Sequence, residues 1–273
     1  LFDIARIDQR SVDLVDSVVV ALVSGVETNG ASIMIIGAQC RDLLHTGFGR
    51  IDQLRRTYDV DVAIAVDGDA EYRRIVAIHP RSGTTDIRFS IAGMVVDVVP
   101  FGDIEDPTGT TPLPGRKEGI DVFGFREVFM HSLELRLPSG YQVRIPTPAG
   151  YTALKLKAWC DRSAIGEYKD ADDIATICTW YHGDADITAS LYEARTDLLI
   201  RAELDVDLAS LHLLCEEIAS LLGPVRLAEL SAAWSHTDRE LLAHHFARHQ
   251  SRTLPDLAAA QRAILALNYL LVS

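Results

Sequence analysis

The stretch that decides the reading is Thr57-Tyr58-Asp59-Val60-Asp61-Val62-Ala63-Ile64-Ala65-Val66. It alternates acid with apolar residues and then becomes wholly apolar, the pattern of a strand that enters a core with one polar end. Residues two apart on a strand share a face, so Asp59 and Asp61 project together, roughly 6–7 Å apart at ~3.3 Å of rise per residue. Two such carboxylates on an apolar strand repel each other and lose hydration. A divalent cation with oxygen ligands is the natural remedy, Mg²⁺ or Mn²⁺. A third acid, Asp97, stands among valines in Met94-Val95-Val96-Asp97-Val98-Val99 and needs a partner of its own. If the two strands are neighbours, Asp59, Asp61 and Asp97 converge on a metal site suited to phosphoryl or nucleotidyl transfer. A bare D-x-D also occurs on the solvated face of an edge strand, so the third carboxylate is what gives the pattern its force.

Working outward, residues 31–40 (ASIMIIGAQC) read as a buried strand that ends in a turn at Gly37-Ala38, with a helix beginning near Arg41. Small residues at such a turn let backbone N–H groups approach a triphosphate, and the helix dipole favours the anion. Many unrelated α/β proteins share that turn. Upstream, Val12, Leu14, Val15, Val18, Val19 and Leu22 recur at helical spacing. Residues 70–79 read as helix. Residues 85–93 and 94–102 form a hairpin about Ala92-Gly93. Residues 103–119, rich in Pro, Gly and Thr, read as a loop, and 123–129, 133–137 and 141–145 as strands. After Pro146 and Pro148 every periodic stretch is helical, with a break near Gly166. The expected fold class is therefore α+β: a mixed sheet with helices over 1–146 and a helical domain over 147–273.

On that helical side Lys155 and Arg162 are seven residues apart, about two turns along one face. Asp170 and Asp173 follow at i and i+3. A lysine of this kind neutralises charge on a leaving pyrophosphate, and Asp173 is placed to hold it or a substrate ribose; a solvated face of Lys–Asp pairs would show the same spacing. Arg41, Arg50, Arg55 and Arg56 make 41–56 locally basic, fit for phosphates or for ordinary surface. The three histidines His244, His245 and His249 lack the glutamate of an H-E-x-x-H zinc site, and Trp159, Trp180 and Trp234 read as core or interdomain anchors.

These residues resemble a family. A Gly-small turn, a helix, a D-x-D strand and a later strand with a central Asp resemble the DNA polymerase β-type nucleotidyltransferase fold. More closely, the chain is similar to the AbiEii/MenT group of bacterial nucleotidyltransferase toxins. The similarity lies in Arg55-Arg56-Thr57-Tyr58-Asp59-Val60-Asp61 and in Lys155-Leu156-Lys157-Ala158, Arg162 and Asp170-Ala171-Asp172-Asp173, over about residues 30–182. Gly-Ala stands where Gly-Gly or Gly-Ser is usual, and the gap from Gly37 to Asp59 is longer than in minimal members. The resemblance implies Asp59 and Asp61 as metal ligands, with Asp97 as third ligand or as general base for the attacking hydroxyl. It implies Lys155 and Asp173 as catalytic, both supplied by the helical domain. Gly37, Ala38, Thr57, Arg41 and Arg162 would lie along the nucleotide. It further implies an NTP substrate, the 3′ end of tRNA as acceptor, and a toxin held in check by a cognate antitoxin protein.

Composition bounds these expectations. With 26 Lys+Arg against 39 Asp+Glu the net charge is −13, so a polyanion such as tRNA must meet a local basic patch rather than the overall field. The same charge favours a cationic acceptor, which keeps aminoglycoside or protein modification as the alternative. A catalytically inactive nucleotide-binding module is the alternative of another class. Four scattered cysteines, without C-x-x-C, point to a reducing compartment. No apolar run looks long enough to span a bilayer and no basic-then-apolar leader opens the chain, so the expectation is cytoplasmic, with no membrane partner.

Overall fold

The computed structural model describes residues 2–25, 30–52, 54–55, 59–113, 117–248 and 256–271. The chain divides into two compact units, Phe2–Thr147 and Pro148–Ser273. Each is described by itself.

The first unit is built on a six-stranded sheet. In chain order its elements are α1 (Gln9–Leu22), β1 (Ile33–Ile36), α2 (Gly37–Gly47), β2 (Asp59–Val66), α3 (Asp69–Val76), β3 (Arg88–Ile91) and β4 (Met94–Gly102). There follow β5 (Thr110–Thr111), β6 (Ile120–Asp121), α4 (Phe125–Met130), β7 (Leu133–Arg136) and β8 (Gln142–Ile145). The sheet order is β3-β4-β2-β1-β8-β7. Strands β2 and β4 run parallel, as do β1 and β8, while β1–β2, β3–β4 and β7–β8 are antiparallel. The sheet is therefore mixed, as expected. Its centre is apolar on both faces: all four residues of β1 are buried, which is what a continuous Ile-Met-Ile-Ile run requires. The helix α1 starts where the Asp8 side chain accepts from the Ser11 amide, and it buries Val12, Val15, Val18, Val19 and Leu22 along one stripe.

Three expectations need correction. The helix after β1 begins at Gly37, four residues before Arg41, because the positive φ of Gly37 (+63°) turns the chain directly out of the strand. Residues 125–130 are helical, not extended. Gly124 at φ 73° turns the chain into α4, and Val128 is the residue of that turn that is buried. The loop 103–119 contains β5, which pairs with β6, and is organised by Glu105. Its carboxylate accepts from the amides of Gly102 and Gly109 and meets the Arg126 guanidinium at 3.0 Å.

Within α2, His45 is buried and its Nε2 faces the Asp52 carbonyl at 3.2 Å. Burial pushes its pKa down to about 4. The unfolded chain takes up this proton below about pH 6.5 and the folded chain only near pH 4. Stability therefore falls as pH drops through that window, and this group accounts for roughly 3 kcal/mol of the loss at its lower end. Urea unfolding at pH 7 and pH 4.5 checks this: in His45→Gln the acid loss is expected to be clearly smaller than in the unaltered chain.

The second unit is helical throughout: α5 (Pro148–Ser163), α6 (Lys169–Tyr181), α7 (Ala185–Glu193), α8 (Thr196–Arg201), α9 (Val206–Ser235), α10 (Arg239–Arg248) and α11 (Leu257–Leu271). Trp159, Trp180 and Trp234 are fully buried within it. Trp234 donates its indole N–H to Asn268 Oδ1 at 3.0 Å, so it is a core residue with its polar atom satisfied. By length and composition α9 does reach what a membrane crossing needs, against the expectation from sequence. Half of that stretch is buried, and the helix is broken at Gly223 (φ 68°) before Pro224, which marks it as a core helix packed on α5 and α11. Cys40, Cys178 and Cys215 are buried and Cys160 half-buried, all as free thiols; burial pushes Cys178 up to about 12, so its role is packing.

Candidate active site

Strand β2 sits between β1 and β4, and the parallel register sets Asp61 opposite Asp97 and Asp59 opposite Val95. Equal pleat then sends Asp59, Asp61 and Asp97 to one face of the sheet. A ligand oxygen from each lies within 4.8 Å of the others, and all three residues are half-buried. Among the described residues this is the one cluster of three or more His, Cys, Asp or Glu side chains close enough to hold an ion. Three carboxylates offering hard oxygen donors fit a divalent cation of the Mg²⁺ or Mn²⁺ kind.

The turn at Gly37 closes one side of this cluster. Ile36 pairs with Asp61 across β1–β2, so the chain leaves β1 beside that carboxylate. A Cβ built on Gly37 would fall 2.0 Å from Asp61 Oδ2 and 2.7 Å from its Cγ. Only glycine leaves space for the acid, and glycine also takes the positive φ without strain. Ala38 and the rest of the first turn of α2 follow, and the residue before the helix, Ile36, has no polar side chain with which to cap it. The positive end of an eleven-residue helix thus lies beside the Asp61 carboxylate.

Arg88 was not anticipated as a site residue. Its guanidinium forks onto Asp97, Nε to Oδ1 at 2.7 Å and Nη2 to Oδ2 at 2.8 Å, and lies 3.7 Å from Asp59 Oδ2. The Asp97 hydrogen bonds hold its pKa above the ordinary arginine value. The signal was in the hairpin. Ala92 and Gly93 both take positive φ (51° and 75°), a two-residue turn, which forces Ile91 opposite Met94 and hence Arg88 opposite Asp97.

Thr57 lies outside the described residues, as do Arg56, Tyr58 and His249. Arg41 is 2% exposed; its guanidinium bonds Asp42 at 2.7 Å and donates to the Arg55 carbonyl at 2.8 Å. His245 packs against Tyr168 in a tilted ring pair with centroids 4.6 Å apart.

In the helical unit, α5 and α6 bring Lys155 onto two acids. Its Nζ lies 2.9 Å from Asp170 Oδ1 and 2.7 Å from Asp173 Oδ2, and both acids are fully buried. Arg162 reaches Asp170 Oδ2 at 3.1 Å from the other side. Burial opposes the charge on Lys155, but Asp173 and Asp170 together outweigh it and hold its pKa above the ordinary lysine value. The i, i+3 spacing had put both acids on one face. Sequence reasoning chose Asp173 and passed over Asp170, the acid that both cations share.

No protein-family model matches the sequence, and no curated protein does. Among solved structures the chain is similar to the solution structure of the antibiotic-resistance factor ANT(2'')-Ia. The TM-score is 0.36 at 15% identity, over 72% of this chain and 98% of that one.

Proposed function

We propose that the protein is a Mg²⁺-dependent nucleotidyltransferase that moves an NMP unit from an NTP to the 3′ end of tRNA, and so blocks translation as the toxin of a toxin–antitoxin pair. The observation that carries the reaction class is the convergence of Asp59, Asp61 and Asp97 within 4.8 Å beside the Gly37 helix terminus. In such a transfer the acceptor hydroxyl oxygen bonds to the α-phosphorus while the bond to pyrophosphate breaks. When bound, the cation offsets charge on the phosphate oxygens. Asp59, Asp61 and Asp97 would hold it, and the first turn of α2 would orient the phosphates through its backbone N–H groups. Lys155, whose positive charge is secured by Asp170 and Asp173, takes the role that the resemblance gives it, stabilising the pyrophosphate. The tRNA acceptor and the antitoxin partner rest on the resemblance alone.

A second acceptor is favoured by the charge of −13. A polycationic small molecule such as an aminoglycoside is drawn to an acidic chain, whereas tRNA is repelled by it. One experiment separates the readings: incubation with each NTP labelled at its α-phosphate, Mg²⁺, and either total tRNA or an aminoglycoside panel. Label on tRNA from one NTP is the expected result, with transfer falling by at least about a hundredfold in Asp59→Ala. Label on the aminoglycoside instead selects the second reading. Nucleotide binding with no transfer to either, or to protein, sinks both and leaves a binding module.

A further inference from the structure

Arg88 opens β3, the edge strand of the sheet, and its fork takes both oxygens of Asp97 while its Nη2 also faces Asp59. A fixed cation therefore already stands on the donor set that a divalent ion would use. We propose that Arg88 is a positioning residue of the metal site: an internal counter-cation that shares Asp97 with the ion and holds down the site's affinity for it. This rests on the three carboxylates being a metal site.

Two effects of the guanidinium oppose each other. It pre-orients Asp97, which helps an incoming ion, and its charge repels that ion. The first effect is small here. Asp97 has its backbone paired on both sides, to β2 and to β3, so losing the fork frees only two side-chain torsions. The second is larger. A unit charge and a double charge about 5 Å apart repel by about tenfold in affinity even at the dielectric of bulk water, and by more in a half-buried site. Charge therefore decides the sign. In the metal-free protein the same fork relieves repulsion among the three acids, which lie on two neighbouring apolar strands, β2 and β4.

The experiment titrates Mn²⁺ into the full chain without nucleotide at fixed low ionic strength, following the electron-spin resonance of the free ion. Four proteins are compared: unaltered, Arg88→Met, Arg88→Lys and Asp61→Asn. Arg88 is 37% exposed on an edge strand, so neither substitution opens the core. Arg88→Met is expected to bind Mn²⁺ about tenfold more tightly, and Arg88→Lys, which keeps the charge and loses the fork, to stay within about threefold of the unaltered chain. Unchanged or weaker binding in Arg88→Met, with binding lost in Asp61→Asn, overturns the role of Arg88 and leaves the metal site standing. Mn²⁺ binding indifferent to Asp61→Asn removes the metal site, and this inference with it.

Discussion

Replacing Lys155 with methionine is expected to destabilise the helical unit by about 3–5 kcal/mol, the usual cost of removing one partner from a buried ionic network. The side chain of Lys155 is only 12% exposed and those of Asp170 and Asp173 are 0% and 1% exposed, so water cannot replace the missing ammonium. Arg162 still meets Asp170 at 3.1 Å, so that acid keeps one cation when Lys155 is removed. Denaturant unfolding of the full chain measures this, and the triple change Lys155→Met, Asp170→Asn, Asp173→Asn tests the cause. Removing the charges together is expected to restore much of the stability, since no buried carboxylate is left without its counter-ion. A Lys155→Met chain as stable as the unaltered one would mean that the three groups are not the buried network described. The pH sign for the lysine itself follows from its raised pKa: its part of the stability is complete below about pH 10.4 and is lost as pH rises beyond it.

Gly37→Ala is expected to weaken Mn²⁺ binding by tenfold or more and to abolish transfer. The new methyl group would overlap Asp61 Oδ2 at 2.0 Å, so the carboxylate must swing away from Asp97 or β1 and β2 must part. Part of any effect of this change is ordinary backbone strain, because alanine is placed at φ +63°. Gly25→Ala supplies the control: Gly25 also has a positive φ (80°), but a Cβ there meets nothing within 4 Å. Both variants are expected to lose some thermal stability, and Gly37→Ala alone to lose the metal. Equal metal affinity in the two would show that the position of Asp61 is not critical.

Much of this site was legible from local pattern. Alternation placed Asp59 and Asp61 on one face of a strand because a strand has a two-residue period whatever its neighbours are. The helical stripes of α1, α5 and α6 were legible for the same reason at a period of 3.6. Even the placing of Arg88 opposite Asp97 follows from the two-residue turn between their strands, which is a local feature. Where pattern misled, at 123–129, the alternation was too short to outweigh a positive-φ glycine that starts a helical turn.

Local pattern thus fixes which residues share a face and which element carries each acid, since those follow from backbone geometry over a few residues. Long-range packing alone sets β4 parallel beside β2, brings Gly37 against Asp61, and seals Asp170 between Lys155 and Arg162. These pairings join segments up to 36 residues apart, as Asp61 and Asp97 are. They are set by the summed burial of many apolar side chains in the sheet and the helical core, and no local period encodes that sum.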